Sequence, residues 1–222
     1  YSFRITEELS SLNDFVFKGF SNNFYTRLDT TDKFPRINDD ELLTKIQKQT
    51  FKYFWDFAHP ECGMARERNT SVNTVTSGGS GFGVMSIIVG IERGFITREQ
   101  GLARMQKILN FLDNNKLRFH GAWPHWMNGA TGEVIPFSPK DNGGDLVETS
   151  YMTQALLTFR QYLDSAVPEE QVLINQINRI WESIEWDWYT QGEDVLYWHW
   201  SPNYEFQKDL PISGHNETQI VY

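Results

Sequence analysis

Residues 143–151 read GGDLVETSY, and they lead from two glycines through an acidic first turn into a largely apolar helix. Asp145 and Glu148 are three residues apart, so both side chains are expected on the same side of that helix. The preceding segment, residues 116–144, is rich in aromatic side chains and far longer than the usual connection between two helices. The motif therefore predicts a helix whose amino-terminal end forms one wall of a cleft.

The same succession of elements occurs three times along the chain. A helix with one polar face is followed by a long loop, a glycine turn and a helix that is apolar on most sides, which is typical of a buried helix. The predicted outer helices cover residues 38–58, 97–115 and 169–184, and the predicted inner helices cover residues 81–94, 145–163 and 213–222.

Helical hairpins that repeat in this way are typical of a helical array or a closed toroid. Six hairpins would close a double ring and three are present, so we predict an all-α fold of the (α/α)6 toroid type, of which this chain forms about half. Residues 1–37 are predicted to be an irregular lead-in, and residues 38–222 the N-terminal part of the toroid domain. Alone, the 222-residue chain is expected to be dimeric, aggregating or inactive.

Two local patterns add detail to this prediction. The first outer helix begins at an Asn or Asp cap, carries acids in its first turn and has apolar residues at Leu43, Ile46, Phe54 and Phe57. No strand pattern is strong, although residues 194–198, DVLYW, could form a short hairpin arm within the last loop.

Composition narrows the classes of partner. The formal net charge of −9 and the pI near 5.0 argue against nucleic acids and anionic membranes, because neither would be attracted. No run approaches the roughly 20 apolar residues that cross a bilayer. Cys62 is the single cysteine, so no internal disulfide is expected. The first residues, YSFRITEEL, lack a signal-peptide core, which indicates either a cytosolic protein or one whose signal has been removed.

Tryptophan is concentrated in the loops. Six of the eight tryptophans fall in the second and third loops, and they are Trp123, Trp126, Trp186, Trp188, Trp198 and Trp200. Loops this rich in indole rings commonly line a pocket, and the apolar faces of pyranose rings stack well on indole. The alternative is that these side chains only pack the loops against the helix ends.

The acidic residues at the helix starts indicate glycoside hydrolysis, which needs one protonated and one ionised carboxyl group. Asp145, Glu148 and Glu217 lie at glycine-led helix starts, where apolar walls can raise one carboxyl pKa while hydrogen bonds keep another carboxyl ionised. The alternative for Asp145 and Glu148 is a capping box, since acids in a first turn are favoured by the helix dipole alone.

Other polar residues fit a sugar site less specifically. Arg66 could hold hydroxyl groups or order the acids, and His125 could donate to a substrate oxygen or simply pack; His199 and His215 are loop histidines of the same kind. No spacing resembles a zinc site, no glycine-rich nucleotide loop follows a strand, and no G-x-S-x-G motif occurs. We therefore expect neither a metal nor another cofactor.

Three long motifs resemble the bacterial glucoamylase-like family, which includes endo-β-1,2-glucanases. They are TFKYFWDFAHPECGMARERN at residues 50–69, GGDLVETSYMTQALLTFRQYL at 143–163 and VLYWHWSPNYEFQKDLPISGHNETQIVY at 195–222. The similarity covers about residues 38–222. It implies a toroid that cleaves glucans with inversion and needs no metal, most simply a β-linked glucan of the β-1,2 type, in a periplasmic, secreted or cytosolic protein.

The resemblance also implies roles for particular residues. The acid of the GHNE-type motif falls on Glu217, expected as the proton donor, and the acidic pair falls on Asp145 and Glu148. Substrate binding is expected from His125, Arg66, Trp123, Trp126, Trp200 and Tyr204. Family domains continue for about as long again, so the general base could lie in the other half, which would leave Asp145 and Glu148 to bind substrate or support it.

Three alternatives stay open. The chain could belong to a glucoamylase-type hydrolase of α-glucans, because the family name by itself does not establish the linkage. It could be a polysaccharide lyase or a sugar epimerase on the same scaffold, although a lyase acting on uronic acids would favour a basic cleft. It could also be a non-catalytic glycan-binding protein in which the acids only cap helices.

Overall fold

The computed structural model describes residues 1–8, 11–114, 118–215 and 217–222. The chain separates into two compact units, Tyr1–Glu41 and Leu42–Tyr222. The predicted division into a lead-in of residues 1–37 and a toroid part from residue 38 stays a prediction.

The first unit contains a pair of antiparallel strands. Strand β1 (Ser2–Ile5) pairs with strand β2 (Phe20–Asn23), with Ser2 opposite Asn23 and Ile5 opposite Phe20. Nearly all described side chains of this unit are exposed. The segment predicted to be irregular therefore contains a strand pair, which its mixed composition does not reveal.

Five α-helices carry the second unit, and each corresponds to a predicted helix. They are α1 (Asp39–Trp55, beginning in the first unit), α2 (Ser77–Glu92), α3 (Arg98–Leu112), α4 (Leu146–Tyr162) and α5 (Pro168–Glu182). The sixth predicted helix is a five-residue 3-10 helix, Glu217–Val221, where the sequence favoured an α-helix. Residues 115–117, where predicted helix 97–115 meets the following loop, lie outside the described residues. The described chain is helix-rich, as predicted.

Local sequence explains where these helices begin. Thr97 caps α3 through a complete capping box with Gln100, Asp145 caps α4, and Pro168 occupies the start of α5, where its missing N–H costs nothing. None of the helices in the described parts of the chain has the length and apolar character needed to cross a bilayer.

Helices α2 and α4 form the closest pair in the core. At Gly81 an added Cβ would lie 2.6 Å from the carbonyl oxygen of Tyr151, so the close approach of the two helices requires glycine. Around them, α3 and α5 contribute Leu109 and Ile177 to one continuous apolar cluster. Two of the three predicted inner helices, α2 and α4, therefore pack against each other, although α2 leaves Phe82, Met85 and Val89 exposed.

The apolar residues that indicated helix α1 are only partly covered. Phe51 is the buried residue of this helix, whereas Leu43 and Ile46 are 56% and 52% exposed and Phe57 is also exposed. Helix α1 contacts α2 through rings on one side, since Phe54 lies against Gly83. The rest of its apolar face has no covering element among the described residues.

Short strands organise the loops, contrary to the all-helical prediction. Strands β3 (Thr74–Thr76), β4 (Trp126–Asn128) and β5 (Val134–Ile135) form one antiparallel sheet in that order. Strands β6 (Gly144–Asp145) and β7 (His199–Trp200) form a second, with Asp145 opposite His199 and Gly144 opposite Trp200. The hairpin arm predicted at residues 194–198 is thus displaced to 199–200. Strands β3 and β6 run directly into α2 and α4 and so tie the loops to the starts of these helices.

Candidate active site

A cavity of about 530 Å³ opens at the amino-terminal end of α4. It brings together four residues predicted from the sequence, namely His125, Asp145, Glu148 and Glu217. The complete lining consists of His125, Phe137, Asp141, Asp145, Glu148, Trp198, His199, Lys208, Leu210 and Glu217. Carboxyl groups, imidazoles and aromatic rings thus face one space.

The carboxylate of Asp145 contacts three polar partners. As the cap of α4, its Oδ1 accepts a hydrogen bond of 3.0 Å from the backbone N–H of Glu148 and another of 2.9 Å from the indole N–H of Trp198. Its Oδ2 lies 3.1 Å from Nδ1 of His125. The side chain is almost completely buried. Asp145 therefore does cap its helix, as the alternative reading of the motif predicted, and it also anchors two cavity residues.

Glu148 turns away from the start of its own helix and toward α2. Its Oε2 accepts a 3.0 Å hydrogen bond from the backbone N–H of Gly78 in the first turn of α2, so no reciprocal capping box forms with Asp145. Burial, followed by the negative charge of Asp145, raises the pKa of Glu148 to about 7. This carboxyl group can hold or release a proton near neutral pH, which suits acid–base chemistry.

Gly78 makes room for that carboxyl group. A Cβ built on Gly78 would lie 2.2 Å from Oε2 of Glu148, a distance that no side chain could tolerate. The glycine-rich opening of α2 therefore serves the position of an acid contributed by another helix.

His125 is held between an acid and an aromatic ring. Its imidazole stacks on Phe137 with ring centroids 4.2 Å apart, while Nδ1 donates to the carboxylate of Asp145. Burial disfavours the charged imidazole, but the hydrogen bond to Asp145 and the charge of Glu148 outweigh it and raise the pKa of His125. A His125–Asp145 ion pair therefore lies beside Glu148.

Glu217 reaches the same cavity from the last described element. It is the first residue of the 3-10 helix Glu217–Val221, it is exposed, and its backbone carbonyl accepts a 3.2 Å hydrogen bond from the hydroxyl of Tyr151. Its charge contributes to the raised pKa of Glu148, although less than burial and Asp145 do. Asn216 of the GHNE motif lies outside the described residues. The cavity thus has one half-buried and one solvent-facing glutamate.

Several predicted substrate-binding residues lie elsewhere. Trp123 is fully buried, and its indole N–H donates a 3.1 Å hydrogen bond to the carbonyl of Leu112, so it packs in the core and does not line the cavity. Trp200 projects to the opposite face of the β6–β7 pair and lines a second cavity of about 820 Å³. The loops thus use some tryptophans for packing, as the alternative prediction held.

The remaining predicted substrate contacts, Trp126, Arg66 and Tyr204, do not line the cavity. Trp126 packs edge-on against Phe137, with ring centroids 5.0 Å apart. Arg66 forms a single backbone bridge with Val75 next to β3, and Tyr204 is an exposed loop residue. Of the predicted substrate-binding residues, only His125 lies in the cavity wall.

The sequence analysis missed a charged cluster in the cavity wall, formed by Asp141, His199 and Lys208. Burial disfavours the ionised form of Asp141, but the nearby His199 and the hydrogen bond and charge of Lys208 prevail and lower its pKa to about 2. Asp141 lies four residues before Asp145, so its nearness to the acidic motif was a usable signal. The other two residues arrive through the pairing of β7, which no local pattern encodes.

Among the described residues, no group of three or more His, Cys, Asp or Glu side chains is placed to hold a metal ion.

No protein-family model matches the chain. It is 46% identical over 190 residues to an exo β-1,2-glucooligosaccharide sophorohydrolase (non-reducing end) of Parabacteroides distasonis, covering 84% of this chain and 26% of that protein. It is also similar to the solved endo-β-1,2-glucanase of Chitinophaga pinensis in complex with sophorotriose and glucose, at 52% identity and a TM-score of 0.80 over 84% of this chain and 46% of that one. A Bacteroides uniformis protein provisionally named a glucoamylase gives 56% identity and a TM-score of 0.82, over 85% of this chain and 46% of that one.

These similarities confirm the resemblance to glucoamylase-like proteins and endo-β-1,2-glucanases that the three motifs indicated. The helix-rich fold follows that of the solved relatives over most of this chain. The chain spans about half the length of these solved relatives and about a quarter of the Parabacteroides protein.

Proposed function

We propose that this chain is part of a glycoside hydrolase that cleaves a β-linked glucan, of the β-1,2 type, with inversion. The observation that carries the proposal is Glu148, a half-buried residue whose carboxyl pKa is raised to about 7 and which shares one cavity with the solvent-facing Glu217. Two carboxyl groups in such different surroundings are what acid and base roles require. The names of the relatives, which refer to β-1,2-linked glucans, support the substrate class.

Glu148 is the better candidate for the proton donor. A general acid has to carry a proton at the working pH, and burial beside Asp145 favours the protonated form of Glu148. Glu217, which the sequence reading made the donor, faces solvent and can reach a water molecule. We assign to the Glu217 carboxylate the role of activating the attacking water molecule, either alone or together with a base contributed by the rest of the protein.

The remaining residues prepare the site. Asp145 keeps His125 in a fixed orientation and stabilises its charged form, so that His125 can donate to a sugar oxygen next to Glu148. Phe137 and Trp198 supply apolar wall against which a pyranose ring can lie. Trp126, Trp200, Tyr204 and Arg66 stay proposed contacts only for parts of a polymer that extend beyond the cavity.

We further propose that the helices form about half of an (α/α)6 toroid and that further helical hairpins complete it. Support comes from the solved Chitinophaga and Bacteroides relatives, which are about twice as long, and from the uncovered apolar side chains of α1 and α2. Those side chains are Leu43, Ile46, Phe82, Met85 and Val89. Residues 1–222 produced alone should therefore self-associate or lack activity; an active, cooperatively melting monomer would contradict this. A periplasmic or secreted location stays a prediction.

The proposed activity is tested with the complete protein on linear glucans of β-1,2, β-1,3, β-1,4 and α-1,4 linkage. The expected result is hydrolysis of the β-1,2-glucan with the α-anomer appearing first in the proton NMR spectrum, because inversion converts a β-linkage into an α-product. Cleavage of the α-1,4-glucan alone would support the glucoamylase-type alternative. An unsaturated product from a uronic-acid polymer would indicate a lyase, and binding without product release would indicate a glycan-binding protein.

A further inference from the structure

One part of the cavity wall is a cluster of charges whose members hold one another in place. The carboxylate of Asp141 accepts at Oδ2 from Nζ of Lys208 at 2.8 Å and from the hydroxyl of Ser138 at 3.1 Å. Nζ of Lys208 also lies 2.7 Å from the Ser138 oxygen. On the other side of the carboxylate, Nε2 of His199 lies 3.2 Å from Oδ1. The lysine is thus fixed at the cavity by two partners.

One hydrogen-bond donor of this cluster is still available. A lysine ammonium carries three N–H donors, and two of them are directed to Asp141 and Ser138. Among the described residues no partner takes the third, and the Lys208 side chain keeps 18% of its surface exposed where it lines the cavity. A bound molecule can therefore accept from it.

The buried imidazole behind Asp141 shows that the protein alone does not complete this wall. The side chain of His199 is 2% exposed, and neither ring nitrogen makes a well-aligned hydrogen bond to a described residue. Buried polar groups in proteins are normally paired, so an unsaturated cluster at a cavity indicates that water or a ligand supplies the missing partners.

Charge balance indicates a neutral ligand group. Lys208 is compensated by Asp141, and His125 is compensated by Asp145, whereas Glu217 has no cation of its own among the described lining residues. A carboxylate on the ligand would meet the uncompensated negative charge of Glu217. A hydroxyl oxygen can accept from Lys208 without that cost.

We propose that Lys208 is a substrate-binding residue that donates its remaining N–H to a hydroxyl oxygen of the sugar bound beside Glu148, and that Asp141 is the positioning residue of this lysine. The proposal rests on the glucan hydrolase activity proposed above. It adds a specific contact between Lys208 and a hydroxyl group of a neutral sugar in the cavity.

The test measures kcat and KM for β-1,2-glucan in the complete protein carrying Lys208→Met, which keeps the length of the side chain and removes its donors. We expect KM to rise about tenfold, because a substrate hydroxyl loses its charged partner, while kcat changes by less than about threefold. Asp141→Asn should raise KM as well by releasing the ammonium. The double variant should be no worse than Lys208→Met alone, because both changes break the same contact.

Lys107→Met is the matched control, since Nζ of Lys107 donates to the carbonyl of Pro60 on the surface at 2.9 Å and does not line the cavity. It should leave KM unchanged. An unchanged KM in Lys208→Met, with wild-type melting, would overturn the proposal. If Lys208→Met fails to fold, Lys208→Arg replaces it; Arg keeps the charge next to Asp141 but moves the donors, and it should also raise KM.

The two proposals fail in different ways. If the unaltered protein hydrolyses none of the glucans, the proposed activity is wrong, and calorimetric binding of β-1,2-glucan to the unaltered protein and Lys208→Met then decides the role of Lys208. Weaker binding to the variant would still support the contact, and equal binding or no binding would overturn it.

Discussion

Two glycine-led helix starts in this molecule share a sequence pattern and differ in structure. Gly144 precedes Glu148-Thr149, and Gly214 precedes Glu217-Thr218. The first pattern opens the seventeen-residue helix α4 with Glu148 bonded to the start of α2, whereas the second opens a five-residue 3-10 helix with Glu217 in solvent. Both acids nevertheless line the same cavity.

The difference teaches that neighbouring elements, and not the local motif, decide the chemistry of each acid. Around Glu148 the backbone of α2 and the capping carboxylate of Asp145 replace water, and the pKa of Glu148 rises to about 7. The half-buried Glu148 and the solvent-facing Glu217 can therefore take the acid and base roles of a hydrolase, although both come from the same sequence pattern. The predictions below test that contrast.

The largest effect is expected from Glu148→Gln. The amide can still accept from Gly78 but cannot deliver a proton, so kcat should fall by about a thousandfold with an unchanged melting temperature. Glu217→Gln should also remove nearly all activity. Glu99→Gln, an exposed change in the first turn of α3, is the control. Wild-type activity in Glu148→Gln would remove this residue from the mechanism.

The pH dependence separates the two glutamates. A donor must be protonated, so kcat/KM of the unaltered protein should fall as the pH rises through about 7, the pKa of Glu148. In Glu148→Gln that alkaline limb should disappear from the residual activity. Its persistence in this variant would assign the limb to a group other than Glu148.

A smaller effect is expected from Gly78→Ala. The new Cβ would lie 2.2 Å from Oε2 of Glu148, so the carboxyl group must move, and we expect a loss of about a hundredfold in kcat together with a lower melting temperature. Gly83→Ala on the same helix is the control, because its Cβ would meet only the ring of Phe54, at 3.3 Å. Equal activity losses in the two variants would mean that α2 affects activity through folding alone.

The smallest effect is expected from Trp198→Phe, which removes the indole N–H that donates to Asp145. Loss of one hydrogen bond to a carboxylate should lower kcat/KM by about tenfold. Trp123→Phe removes an equivalent N–H from the core, where it donates to Leu112. That variant should lose about 1 kcal/mol of unfolding free energy and keep its kcat/KM. The reverse outcome would contradict the placement of the two indoles.

The helices could be predicted because their signals are local. Thr97, Asp145 and Pro168 mark helix starts by side-chain bonding or a missing N–H, and the periodicity of α3 and α5 follows from their one-sided burial. The acids of the site were found for the same reason, since a glycine turn before an acidic first turn is readable in sequence.

Long-range pairing could not be predicted. The placement of His199 opposite Asp145 depends on the register of two-residue strands that are far apart in the chain, and Lys208 reaches Asp141 from the same distant loop. Whether a tryptophan is buried, as Trp123 is, depends on which helices meet behind it. The apolar residues of α1 show the converse, because an apolar periodicity predicts an interface but not the presence of its partner.

The two-residue pairing of β6 with β7 has a consequence for how this protein can change. Side chains alternate along a strand, so His199 faces the acidic cavity and its neighbour Trp200 faces the second one. A single inserted or deleted residue just before His199 would exchange these faces and drive an indole against the carboxylates. Natural variation in the length of the preceding loop should therefore be absorbed well upstream, near the turn at Gln191 and Gly192, and leave the count from Trp198 to Trp200 untouched.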